Sequence, residues 1–135
     1  MKKLEREVSY FIYKVLSKED VNWVKTLLPQ DISKRIRSKI KNDYDLAHKE
    51  FMIDEEIRTI RKEDNFSFFE DVFINSDGGF HNKSLIFGAF EHLRDVRNKL
   101  MHNRAEEVTK DDEKTVRETI QKIEDCIDSH PDEDE

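Results

Sequence analysis

Cysteine occurs once, at Cys126, so the chain has no intramolecular disulfide framework and no cysteine-rich zinc module. A reducing, cytoplasmic setting is expected from that. Three glycines and two prolines among 135 residues leave little for tight hairpins, and apolar–polar alternation never persists. A β-sandwich or barrel is thereby set aside in favour of helix. No run approaches the ~18 apolar residues of a membrane-spanning helix, so no membrane partner is expected. The start, Met1-Lys2-Lys3-Leu4-Glu5-Arg6-Glu7, turns charged where a signal peptide needs an apolar stretch. No group of His, Cys, Asp and Glu has ligand spacing, so neither a metal nor a cofactor is expected.

The composition, 41% charged and 36% hydrophobic, leans toward disorder. Nine Phe, three Tyr and Trp23 argue the other way, because they supply large apolar surfaces to bury. A chain of this length is one domain's worth and buries roughly two-thirds of its extended surface. Residues 1–128 are expected to form one α-helical domain, followed by an acidic, disordered tail at 129–135. The net charge of −7 is unevenly placed. From Ala105 onward four Lys and Arg face thirteen Asp and Glu, whereas residues 1–104 carry twenty against eighteen. The negative total therefore does not exclude a polyanionic partner.

Periodicity organises the rest. Leu4, Val8, Phe11, Ile12, Val15 and Leu16 mark one face of a first helix. Ser17-Lys18-Glu19-Asp20 is a cap, and Val21, Val24, Leu27 and Leu28 continue as a short helix that Pro29 ends. Ile32, Ile36 and Ile40 then recur at i, i+4, i+8, a pattern that extends through Tyr44 and toward Met52. Residues 53–65 read as a short helix around Ile57 and Ile60 with a polar loop behind it. Phe66, Phe68, Phe69 and Phe73 form an aromatic stripe, helical or extended, expected in the core. Asn75-Ser76-Asp77-Gly78-Gly79 is a turn. A strong helix runs from about Ser84 to His102. The last helix begins near Thr109 as N-cap, with Asp111, Asp112 and Glu113 in its first turn. It buries Val116, Ile120, Ile123 and Ile127, and Pro131 stops it. The fold class is all-α, a bundle of four to five main helices.

Plotted at ~100° per residue, Ile86, Ala89, Phe90, Val96 and Leu100 fall within about 60° of Leu93. Arg97 falls there too, at about 40°, and a fixed cation beside a buried seam needs a partner or a polar site. Asn98 and His102 lie one turn apart on the wetter face. A permanent cation, an amide and an imidazole together suit the handling of a phosphate. The plainer reading pairs Arg97 with a carboxylate and leaves His102 at a helix end that favours positive charge. His48, His81, His92 and His130 have no ligand spacing and are read as ordinary.

Arg97-Asn98-Lys99-Leu100-Met101-His102 reads R-N-x-x-x-H and resembles the signature of the HEPN superfamily (higher eukaryotes and prokaryotes nucleotide-binding). Nine Arg and five His give about one loose Arg–His pair by chance; requiring Asn at its place lowers the expectation to roughly 0.02. In that family the motif ends a long helix late in a small α-helical bundle, with one more helix after it. Members paired with nucleotidyltransferase antitoxins usually carry Tyr two residues after the His. This chain has Arg104 there, which sets it apart from that branch.

The resemblance implies a HEPN-like two-fold dimer acting as a metal-independent endoribonuclease, without cofactor. His102 is then the general acid or base, Arg97 stabilises charge on the phosphorane, and Asn98 orients the phosphate or holds the geometry of His102. The partners it implies are RNA, a second copy of the chain, and an antitoxin or regulatory protein, in a toxin, phage-defence or RNA-processing setting. Arg94 and Arg104 flank the motif as candidate RNA contacts. A second basic stretch, Asn22–Asn42, carries six cations against Asp31 alone, and Lys34, Arg37 and Lys41 lie away from Ile36 and Ile40. A solvated helix face is the plainer explanation of those three. Two rivals stay open: a non-catalytic HEPN module for dimerisation or RNA or nucleotide sensing, and a helical adaptor docking a protein through its aromatic surface.

Overall fold

Leu4, Val8, Phe11, Ile12 and Leu16 recur at helical spacing, and all five are buried along α1, Lys2–Glu19. The computed structural model describes residues 2–41, 43–74 and 79–129. Its secondary structure there is helical, with an isolated bridge between Ile74 and Phe80. The chain divides into two compact units, Lys2–Glu70 and Asp71–Glu135.

In the first unit, Asp20 breaks the chain out of α1. Its carboxylate accepts from the Asn22 N–H and the Thr26 hydroxyl, both at 2.8 Å. That turn throws Val21 into solvent, 81% exposed, and buries Trp23 instead in the single-turn helix α2, Trp23–Thr26. Val21 and Leu28, expected within that short helix, lie outside it. Pro29 precedes α3, Gln30–Ile40, where its fixed φ suits a helix entry. Ile32, Ile36 and Ile40 are buried as their spacing predicts, each contributing about 1.5–3 kcal/mol.

Helix α3 does not continue through Tyr44. Lys41 takes φ 58°, which ends the helical ladder, and Tyr44–Lys49 forms a 3-10 turn that buries Ala47. Arg35 is drawn away from solvent by Glu55, with Nε at 2.7 Å, and by the Glu50 carbonyl. Helix α4, Ile53–Arg61, starts where the Glu55 carboxylate accepts the Met52 N–H at 3.0 Å, and it buries Ile53, Ile57 and Ile60. Glu56 is also buried and accepts the Ser9 hydroxyl of α1 at 3.0 Å.

The expected polar loop is absent. Lys62 alone interrupts the helices, and α5, Glu63–Phe73, follows at once. Asn65 makes so short a link possible: its amide donates to the carbonyls of Leu27, at 2.7 Å, and Thr59, at 3.0 Å. Phe66, Phe69 and Phe73 are buried, so the aromatic stripe is helical core.

In the second unit, Asn82 caps α6, Lys83–Met101, by accepting the Leu85 N–H at 3.0 Å. Ile86, Phe90, Leu93 and Val96 form its buried stripe, as plotted, and Phe73 meets Phe90 edge-on at 5.8 Å. Thr109 caps α7, Lys110–Ser129, reciprocally: the Asp112 N–H donates to the Thr109 hydroxyl and the Thr109 N–H to the Asp112 carboxylate. The buried face of α7 is Ile123 and Cys126, with Val116, Ile120 and Ile127 only half-buried. The helix keeps Ser129, which the expected tail had claimed; most of the 75–79 turn, Pro131 and the rest of the tail lie outside the described residues. No helix among the described residues is long and apolar enough to cross a membrane.

Three carboxyls sit below the ordinary value of 3.8: Asp31 through the Arg58 guanidinium, Asp20 through the Asn22 N–H and then Thr26, and Asp112 through the Thr109 N–H and then His92. Each binds its proton less readily in the folded chain than in the unfolded one. Their contribution is therefore complete above the ordinary value and is lost as pH falls through the lower native values. Thermal melts are expected to fall steeply below about pH 4, with Asp31→Asn showing a shallower acid limb.

Candidate functional site at the end of helix α6

The last turns of α6 pass from core to solvent within a few residues. Leu93 and Val96 are buried; Arg97, Asn98 and Lys99 are half-buried; Leu100, Met101 and His102 are exposed. Leu100, which plotting put in the core stripe, is 52% exposed and Met101 63%. Leu100 shares the right angular sector, but it stays about half in solvent near the end of α6.

The backbone stays helical through Met101. His102 is the C-cap, its N–H donating to the Asn98 carbonyl at 3.0 Å. Asn103 follows in the left-handed region with φ 57°, and the Arg104 N–H donates to the Lys99 carbonyl at 2.7 Å. This six-to-one closure is a Schellman motif, which uses Asn where Gly is commoner. It satisfies terminal carbonyls and fixes the direction in which the chain leaves.

A 3-10 turn, Ala105–Glu107, then leads to α7, and the Arg104 Nε lies 3.4 Å from the Glu107 carboxylate. His92 Nε2 lies 3.1 Å from Asp112, the N3 residue of α7, while His92 Nδ1 is buried with no hydrogen-bond partner. Ligand spacing along the chain does not mark His92. The available signal was different: an acid at the third position of a capped helix that a connection of only a few residues turns back toward α6.

Of the predicted residues, Arg97, Asn98 and His102 are gathered at one helix end with Arg94 and Arg104. Arg97 is half-buried and engaged within the chain, consistent with a cation set beside a seam. Arg94 lies 3.7 Å from Asp95. Over five helical residues Arg97 and His102 diverge by about 140°, and departure from helical geometry begins only at His102. Lys34, Arg37 and Lys41 belong to the other unit. Lys34 and Arg37 share the outer face of α3, Lys34 exposed and Arg37 half-buried with Nε hidden and unpartnered. Lys41 lies past the end of that helix, so the expected three-cation face reduces to two helical positions.

Among the described residues, no three His, Cys, Asp or Glu side chains gather as for a metal ion. Compared with family models, with curated proteins and with solved structures, the chain has no match.

Proposed function

We propose that this protein is a HEPN-type endoribonuclease that cuts RNA without metal, working as a two-fold dimer. The observation that carries the reading is the Arg97-Asn98-x-x-x-His102 set at the end of a long helix, with one capped helix after it. In the proposed reaction, a ribose 2′-oxygen attacks the adjacent phosphorus and its proton passes to a base. The bond to the 5′-oxygen breaks, and that oxygen takes a proton from an acid. His102, exposed at the cap, serves one of these proton transfers. Arg97 offers its fixed charge to the extra negative charge on the phosphorane, and Asn98 offers amide N–H groups to a phosphate oxygen.

The divergence of Arg97 and His102 supports pairing two copies, so that His102 of one chain works with Arg97 of the other. Exposed Leu100 and Met101 beside the motif supply apolar surface for such a contact. Light scattering at micromolar concentration is expected to give a dimer, and a monomer would argue against the shared site.

The experiment that tests the activity incubates purified protein with total RNA in EDTA. Cleavage is expected to persist and to leave 2′,3′-cyclic phosphate and 5′-hydroxyl ends. Activity abolished by EDTA and restored by Mg²⁺ would instead indicate metal-dependent hydrolysis. RNA binding without any cleavage would move the protein to the non-catalytic module of the same family.

A further inference from the structure

The Lys2–Glu70 unit holds a cleft of about 590 Å³, within the range of small-molecule sites, for which the Arg97/His102 chemistry has no use. One wall is α1. Arg6 and Tyr10 stand one turn apart there, and Ser9 closes the floor by donating its hydroxyl to buried Glu56. The other wall is the 3-10 turn and the chain after it, with His48, Lys49 and Phe51.

The cleft contains aromatic rings that stay accessible. Tyr10 is 49% exposed, unusual for a ring in a cluster, and meets His48 edge-on at 5.3 Å. Tyr13 backs both, 5.8 Å from Tyr10 and 5.4 Å from His48, and anchors itself by donating its hydroxyl to Asp45 at 3.0 Å. Tyr13 thus braces the platform, and the Lys14 Nζ lies 5.8 Å from the centre of the Tyr10 ring.

Its polar groups are unspent. Arg6 and Lys49 are exposed and have no ion pair among the described residues, and the Tyr10 hydroxyl and both His48 ring nitrogens have no hydrogen-bond partner there. Burial, and then Lys49, lower the His48 pKa, which favours a neutral ring offering one donor and one acceptor. Glu5, the carboxylate at the rim, is engaged within the chain.

A half-exposed ring, a neutral imidazole and two unpaired cations around one cleft match a planar heteroaromatic ring that carries an anion. We propose that this cleft binds an unstacked nucleotide unit, its base against Tyr10 and its phosphate held by Arg6 and Lys49. An acidic peptide would need the cations but not the exposed ring. A duplex offers no free base face. The unit comes either from a free nucleotide or from a single strand. The proposal stands apart from the nuclease reading, because it concerns binding and uses none of the residues of the α6 motif.

The test uses the full chain and a labelled 2′-O-methyl oligouridine of about eight nucleotides, which has no 2′-hydroxyl to attack and so reports binding alone. Anisotropy reads the oligomer. Trp23, the chain's one tryptophan, reads uridine monophosphate, since it stacks on the cleft residue Phe51 at 6.3 Å. Tyr10→Ala is expected to weaken binding about tenfold or more while Tyr10→Phe retains most of it. Arg6→Ala and Lys49→Ala should each reduce the salt slope of oligomer binding by about 0.7. Saturation by the monophosphate supports the site with a free nucleotide as source; binding of the oligomer alone supports it with a strand. Circular dichroism confirms that the variants fold. Three outcomes overturn the proposal: neither probe binds, a folded Tyr10→Ala variant binds as tightly as the wild type, or poly-glutamate displaces the oligomer as well as unlabelled oligouridine does.

Discussion

The His102→Ala variant is expected to melt within about 1 kcal/mol of the wild type and to cut RNA roughly 10²–10⁴ times more slowly. Both halves follow from where this residue sits. His102 is exposed, and its one structural duty, donating a backbone N–H to the Asn98 carbonyl, survives truncation to alanine. The helix end is held by Asn103 and by the Arg104-to-Lys99 closure rather than by the imidazole. A large loss of rate with an unchanged melt would therefore assign the ring to proton transfer. An unchanged rate would remove His102 from the reaction. Unfolding would mean that the ring has a structural partner its exposure does not suggest. Arg97→Ala is less clean as a probe, because Arg97 is half-buried and engaged, so its removal changes packing and charge together.

The largest effect on stability is expected from Trp23→Ala, about 3–5 kcal/mol, measured as a shift in the urea midpoint. Trp23 is 1% exposed, between Tyr13 at 6.0 Å and Phe51, whose ring is nearly parallel to it. Helix α2 is a single turn and has no stability of its own, so packing of this indole holds it in place. Against a typical total of about 5–15 kcal/mol, the loss leaves the fold marginal. Trp23→Phe, which keeps a ring in the cluster, should restore much of the difference.

Where one face of a helix meets one core, periodicity was enough to read the fold. The isoleucine ladder of α3 and the Ile86–Phe90–Leu93 stripe of α6 required only spacing, and Thr109 with Asp112 announced the start of α7 by local hydrogen-bond chemistry. Endings were harder, because they depend on events off the helix. Lys41 is a good helix former, so nothing in its type foretells a positive φ. The Asn65 amide bonds both to Thr59 of α4 and, across 38 positions, to Leu27, beyond any local pattern. Leu100 shows the limit of angular plotting, which gives the direction of a side chain but not whether anything lies opposite it. The candidate site was legible as a motif on one helix end. The cleft beside α1 was not, because Tyr10 and His48 come together only after the chain has turned three times.

Cys126 carries a further consequence. The thiol is 6% exposed, and burial raises its pKa, so the native state presents almost no reactive thiolate. As the only sulfhydryl in the chain, it can be labelled only when α7 lifts from its seat. The rate of modification by an excess of a thiol reagent is thus a clock for that opening, readable without any engineered probe. Run across temperature, or with the proposed dimer diluted, the same clock reports how firmly the last helix is held while the rest of the chain stays folded.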